Sequence, residues 1–118
     1  MKERRIALDQ EKIEQNVIEM REIAEQLNKI TVELETAIEQ KKEFESIAFL
    51  QADGSIKDKE HKARTCTRVL KLNPEISRLK GLKEELRLKF RVCEIESDLF
   101  RSINAQNRLE RKLYENYS

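Results

Sequence analysis

The sequence predicts an all-α protein: two long helices in an antiparallel coiled-coil hairpin, joined by a basic, partly helical connector, oligomerising through the second helix. Three observations carry this. Of 118 residues 40% are charged, and only two are glycine and one proline, which is the composition of long helices. Apolar residues recur every seven positions along two stretches of matching length. Between them lies one clear break, Asp53-Gly54-Ser55. The 118 residues read as a single helical-hairpin domain.

Helix 1 is expected from about Glu3 to about Leu50. Its stripe is Ile6, Ile13, Met20, Leu27 and Leu34 at strict sevens, joined by Ile23, Ile30, Ala37 and Phe44 and by Val17, Ala24 and Ile38. A seven-residue repeat sustained this long favours a left-handed supercoil. Lys41 falls where an apolar residue is due, so the seam is expected to loosen there before Phe44, Ile47, Ala48, Phe49 and Leu50 restore it.

The connector spans about 51–72. Asp-Gly offers a turn, and glycine tolerates positive φ. Asp58 is placed to cap a short helix carrying Ala63, Cys66, Val69 and Leu70 on one side. Helix 2 is expected over about 73–114, opening with Asn73 as N-cap and Pro74 as first helical residue, because proline has no N–H to leave unpaired there. Leu79, Leu86, Cys93 and Phe100 follow at sevens, with Ile76, Leu82 and Phe90 filling in. A second set, Leu88, Val92, Ile95, Leu99 and Ile103, projects roughly opposite the first at about 100° per residue. One neighbouring helix does not cover both faces, so the second set is the expected oligomer interface. Arg87, Arg91, Glu94, Asp98 and Arg101 keep a solvated wedge between the two. Gly81 marks a close approach, a mild bend or a merely tolerated glycine. The end thins to Leu109, Leu113, Tyr114 and Tyr117 and is expected to fray.

Composition narrows function. No run of 18 apolar residues exists, and MKERRIALDQ lacks the apolar core of a signal peptide, so a cytoplasmic protein without membrane contact is expected. Cys66 and Cys93 lack CxxC spacing and read as packing residues in a reducing compartment. His61, among Lys59, Glu60 and Lys62, reads as solvated. No nucleophile motif, glycine-rich phosphate loop, metal-ligand spacing or paired-carboxylate pattern stands out. Neither an enzyme nor a cofactor or metal is expected.

Charge gives the strongest functional signal. Residues 1–53 carry a net −5, residues 54–91 a net +7 and residues 92–118 a net −1. The basic set Lys57, Lys59, Lys62, Arg64, Arg68, Lys71, Arg78, Lys80 and Lys83 points to a localised anion-binding surface, because phosphate neutralisation by Lys and Arg is sequence-independent and gains from several copies acting together. Stacking aromatics, which single-strand binders add to charge, are scarce in this region.

From DKEHKART to the C-terminal NRLERKLY the chain resembles the C-terminal half of a class of small helical phage proteins. Glu60, Lys62, Ala63 and Arg64 match the charged connector of that class; Phe100, Arg101, Ser102, Gln106, Asn107, Arg108 and Glu110 match its closing segment. Such proteins resemble the UvsY-like recombination mediators, though Trp is absent here where members often carry an aromatic pair. The resemblance implies a helical homo-oligomer that binds single-stranded DNA and assists a recombinase or another replication protein, in the host cytoplasm if phage-encoded. The alternative expectation is a coiled-coil protein-interaction module or small inhibitor that binds a partner protein without nucleic acid.

Overall fold

The computed structural model describes the backbone of residues 2–117 and the side chains of residues 10–116. The side chains of Ile6 and Tyr117, expected in the apolar pattern, lie outside the described residues. Three helices follow in order: α1 (Lys2–Gln51), α2 (Ile56–Arg64) and α3 (Thr67–Tyr117). No strand occurs among the described residues, and no helix among them is long and apolar enough to cross a membrane. The chain divides into two compact units, Gln26–Leu86 and Met1–Glu25 with Arg87–Ser118.

In the Gln26–Leu86 unit, Leu34 and Ala37 of α1 are buried with Ile76 and Leu79 of α3, and Ile30, Ile38 and Leu72 pack against them. All but Leu72 are positions of the predicted heptad stripes. Full burial of a Val, Leu or Ile side chain is worth about 1.5–3 kcal/mol, so this cluster outweighs the few tenths of a kcal/mol per exposed i,i+4 pair along the same helices. Lys41 sits half-buried on the seam, as its place in the repeat requires. Beyond it the stripe is only partly restored. Phe44, Ala48 and Phe49 are half-buried, whereas Ile47 and Leu50 are exposed, Leu50 by 81%.

The turn behaves as Asp-Gly predicts. Gly54 has φ 114°, and a Cβ there would lie 3.0 Å from the Asp58 carboxylate. The cap of α2 differs from expectation. Ser55, not Asp58, is the N-cap; its Oγ accepts from the Asp58 N–H at 3.2 Å while the Asp58 carboxylate accepts from the Ser55 N–H at 3.3 Å. Asp58 is thus the third helical residue of a reciprocal capping box, which satisfies two orphan donors where a lone cap satisfies one.

The second difference is the start of α3. Its helix begins at Thr67, so Asn73 is not a cap and Pro74 lies inside the helix. An interior proline costs about 3 kcal/mol through a lost hydrogen bond and a ring clash. Carrying the helix back across it places Val69, only 1% exposed, and Leu72 on the seam side of Ile76 and Leu79, and that burial is of the same size or larger. Packing overrides the local start signal. The connector predicted as 51–72 therefore shrinks to two short breaks, around Ala52–Ser55 and Thr65–Cys66.

In the other unit Ile23 of α1 and Cys93 of α3 are buried, and the Lys12 ammonium lies 5.8 Å from the centre of the Phe100 ring. Burial pushes the Cys93 thiol above its ordinary pKa, and the nearby Glu19 and Glu96 carboxylates add to this. Asn16, seven residues before Ile23, and Ser97 are also buried, and the Asn16 Nδ2 and Ser97 Oγ have no hydrogen-bond partner among the described residues. A polar group on a helical seam costs stability and fixes register. Neither residue belongs to the apolar stripes that the sequence displays.

Gly81 has open space around it, with nothing within 4 Å of where a methyl group would stand, so it is a tolerated glycine rather than a close approach. Gly81→Ala is expected to stabilise the protein by about 1 kcal/mol, through helix propensity alone. Gly54→Ala is expected to destabilise it, because positive φ and the Asp58 contact both resist a side chain. Urea titrations of the two variants, read by circular dichroism, check both signs.

Candidate nucleic-acid interface

Six of the nine predicted basic residues fall between the turn and the second turn of α3. Lys57, Lys59, Lys62 and Arg64 lie on α2, and Arg68 and Lys71 open α3. Only Asp53, Asp58 and Glu60 oppose them between residues 53 and 71. They are held on short, well-anchored structure: the capping box fixes one end of α2, and at the other the Thr65 N–H and Oγ1–H both donate to the His61 carbonyl, at 3.0 and 2.8 Å. Ala63 is the residue that α2 buries. His61 itself is exposed, as its charged neighbours predict.

Their environments differ. Lys57 and Arg64, seven residues apart, share an exposed face of α2. Arg64 reaches Glu60 at 3.8 Å across one helical turn, a surface pair worth ~0–1 kcal/mol. Lys62 donates to the Asp53 carbonyl at 3.0 Å and ties α2 to the turn. Lys59, half-buried, lies 5.8 Å from the centre of the Phe49 ring, and the Arg68 guanidinium lies 5.3 Å from that of Phe44. Both rings belong to the last turns of α1.

Arg78, Lys80 and Lys83 are set apart from these. Arg78 is held in a two-pronged pair with Glu75, Nε donating to Oε2 at 3.1 Å and Nη2 to Oε1. That pair lowers the Glu75 pKa and makes Arg78 hold its proton more tightly, with Glu33 adding to the latter. Lys71 and Arg78 are a heptad apart on one flank of α3; Lys80 projects about 200° further round from Arg78, and Lys83 is half-buried. The nine residues are therefore not one patch. The basic end around α2 is the part that concentrates charge.

Phe44, Phe49 and Lys42 are not among the predicted site residues. Lys42, Phe49, Leu50, Glu60 and Arg64 border a shallow concavity of about 720 Å³ between the end of α1 and α2. In the sequence its only signal is an aromatic-containing run before the turn. The meaning of that run depends on α2 folding back beside it, which spacing alone does not reveal. No cluster of metal-ligating side chains occurs among the described residues, and Cys66 and Cys93 are free thiols.

The predicted interface residues point away from the seam. Leu88, Val92, Ile95 and Leu99 are 52–61% exposed and Ile103 36%. The Cys93 side of the same helix is buried. The chain matches no protein-family profile, no curated protein and no solved structure.

The capping box makes a pH prediction. The Ser55 hydrogen bonds, aided by Lys62 and His61, hold the Asp58 carboxyl below its ordinary pKa. A depressed carboxyl contributes stability that is present above the ordinary carboxylate range and lost as pH falls through the lowered value. The Asp58 carboxyl followed by carbon NMR is expected to titrate below a free aspartate, with α2 amides shifting in the same step. Ser55→Ala should return the pKa toward the ordinary value at a neutral-pH cost of ~1 kcal/mol. An Asp58 titration unchanged by Ser55→Ala would separate the shift from the cap.

Proposed function

We propose that this is a non-enzymatic accessory protein of phage-type DNA recombination or replication, which binds single-stranded DNA through the basic end around α2 and assists a recombinase. The observation that carries the reading is the concentration of six cations over residues 57–71 against two carboxylates, Asp58 and Glu60, around a helix capped at both ends. Fixed cations lose less side-chain and backbone freedom on binding phosphate than cations on a mobile loop. The resemblance of Glu60, Lys62, Ala63 and Arg64 to the connector of UvsY-like mediators supports it further.

The architecture that fits is an antiparallel coiled-coil hairpin, since Leu34 and Ala37 meet Ile76 and Leu79 while Phe44, later in α1, meets Arg68, earlier in α3. Copies associate through Leu88, Val92, Ile95, Leu99 and Ile103 of α3. Five large apolar side chains exposed along one stripe are the kind of surface that marks an interaction site. Association multiplies weak phosphate contacts into useful avidity. The same stripe is also the observation that favours the second reading, a protein-interaction module that docks a partner without nucleic acid.

Fluorescence anisotropy with labelled single-stranded DNA across a salt series tests the leading reading. Affinity should fall steeply with salt, and reversing Lys62, Arg64 and Arg68 to Glu should weaken binding and reduce the salt slope by roughly one for each phosphate no longer neutralised. Ile95→Lys with Leu99→Lys should dissociate the oligomer, measured by light scattering, with helicity retained, and weaken binding with every predicted basic residue in place. No binding of the intact oligomer to DNA at low salt would remove the mediator reading and leave the protein-interaction module.

A further inference from the structure

We propose that Phe49 and the concavity beside it form a stacking subsite for one nucleobase of bound single-stranded DNA. The inference rests on the nucleic-acid reading and deepens it. Charge alone does not distinguish a single strand from a duplex, which presents more phosphate per length. A half-buried aromatic ring within the cationic region supplies what charge lacks, because every base has a π-face and single-strand sites stack bases on aromatic side chains.

The geometry points to Phe49. Its ring sits on the last turns of α1 and is half-buried, so part of it remains open to a ligand. Lys59 of α2 places its ammonium 5.8 Å from the ring centre, a cation–π contact that needs an accessible ring face. Lys42 and Arg64 border the same concavity and lie where phosphates flanking the stacked base would run. Leu50, 81% exposed beside the ring, has no partner in the seam and offers apolar contact to a sugar or base edge. The concavity is shallow and open, about 720 Å³, which leaves room for a flat base beside the ring. The Glu45 and Glu60 carboxylates also border it. Glu60 engages Arg64 only at 3.8 Å with both side chains at least half exposed, so Arg64 is readily recruited by phosphate. The rim carboxylates repel phosphate of either form while leaving an uncharged base free to enter.

The test compares a labelled oligo-dT with an equal-length abasic sugar-phosphate oligomer, which has the same charge and no bases. Wild-type protein is expected to bind oligo-dT more tightly. Phe49→Leu should lower oligo-dT affinity about fivefold or more, the size of one base–aromatic stack. It should leave the abasic affinity and the salt slope unchanged. Arg64→Gln should weaken both ligands and reduce the slope. The chain contains no Trp, so Phe49→Trp gives a single reporter. Its fluorescence should be quenched by oligo-dT and not by the abasic oligomer, which decides the matter even where Phe49→Leu impairs folding. Wild-type-like oligo-dT binding by folded Phe49→Leu, or a Phe49→Trp variant that binds DNA without quenching, overturns the subsite and leaves the nucleic-acid reading standing. Wild-type protein that binds neither oligomer overturns both.

Discussion

The apolar seam between α1 and α3 in the Gln26–Leu86 unit is the constraint on which the rest depends. Helices of about 50 residues with 40% charge have little reason to persist alone in water; most helical stability in proteins comes from packing one face. Here that face is narrow, and its centre is Leu34, Ala37, Ile76 and Leu79. Fixing this cluster sets the rotation of α1 about its axis, and thereby the side on which its last turns present Phe44 and Phe49. It also sets α3, whose first turns carry Arg68 across the Phe44 ring. The cation–aromatic contacts are consequences of seam register, not of any local motif.

Much of this is legible in the sequence because heptad spacing is a long signal. Ile23, Leu34, Ala37, Ile76, Leu79, Leu86 and Cys93 all come from the repeat and are all buried, and the glycine turn stands where Asp-Gly places it. What fails is local punctuation set against packing. Asn73-Pro74 is a sound helix start, yet Val69 and Leu72 lie on the seam side and the helix runs through the proline to include them. Asp58 and Ser55 are both good caps; Ser55 has a carboxylate, Asp58, at its third helical position to reach back to it, whereas an Asp58 cap would have His61 there. Asn16 and Ser97 escape because a stripe is recognised by its apolar residues, and a buried polar residue on the same repeat has no apolar signal.

The candidate interface is legible as charge and illegible as geometry. A sequence counts Lys and Arg without their partners. Arg78 gives up most of its reach to Glu75 one turn before it, and Lys80 and Lys83 diverge around the circumference of α3, whereas Lys57 and Arg64 line up on α2. The shortage of aromatics in the basic segment is real in sequence and is made up in space by α1, whose rings lie 5.3–5.8 Å from Arg68 and Lys59. Residues separated by 10 to 24 positions become neighbours only when the chain turns back at Gly54.

α3 faces a conflict that its sequence resolves with paired charge. In the segment 87–103 it buries Cys93 and Ser97 on one side and exposes Leu88, Val92, Ile95 and Leu99 on another, so only narrow strips remain between two apolar surfaces. Cations alone in those strips would repel the same strips on a second copy approaching the stripe. Instead Arg91 pairs with Glu94 at 3.4 Å and Arg101 with Asp98 at 3.9 Å, each within one helical turn. Such surface pairs add little stability. Their effect is on net field: they leave the strips close to neutral, so the cost of bringing two like-sequence helices together is small and the apolar stripe can dominate. A stripe flanked by Lys or Arg alone would have favoured an acidic partner; one flanked by locally neutral pairs is compatible with a surface that carries the same pattern, which fits the self-association proposed for it.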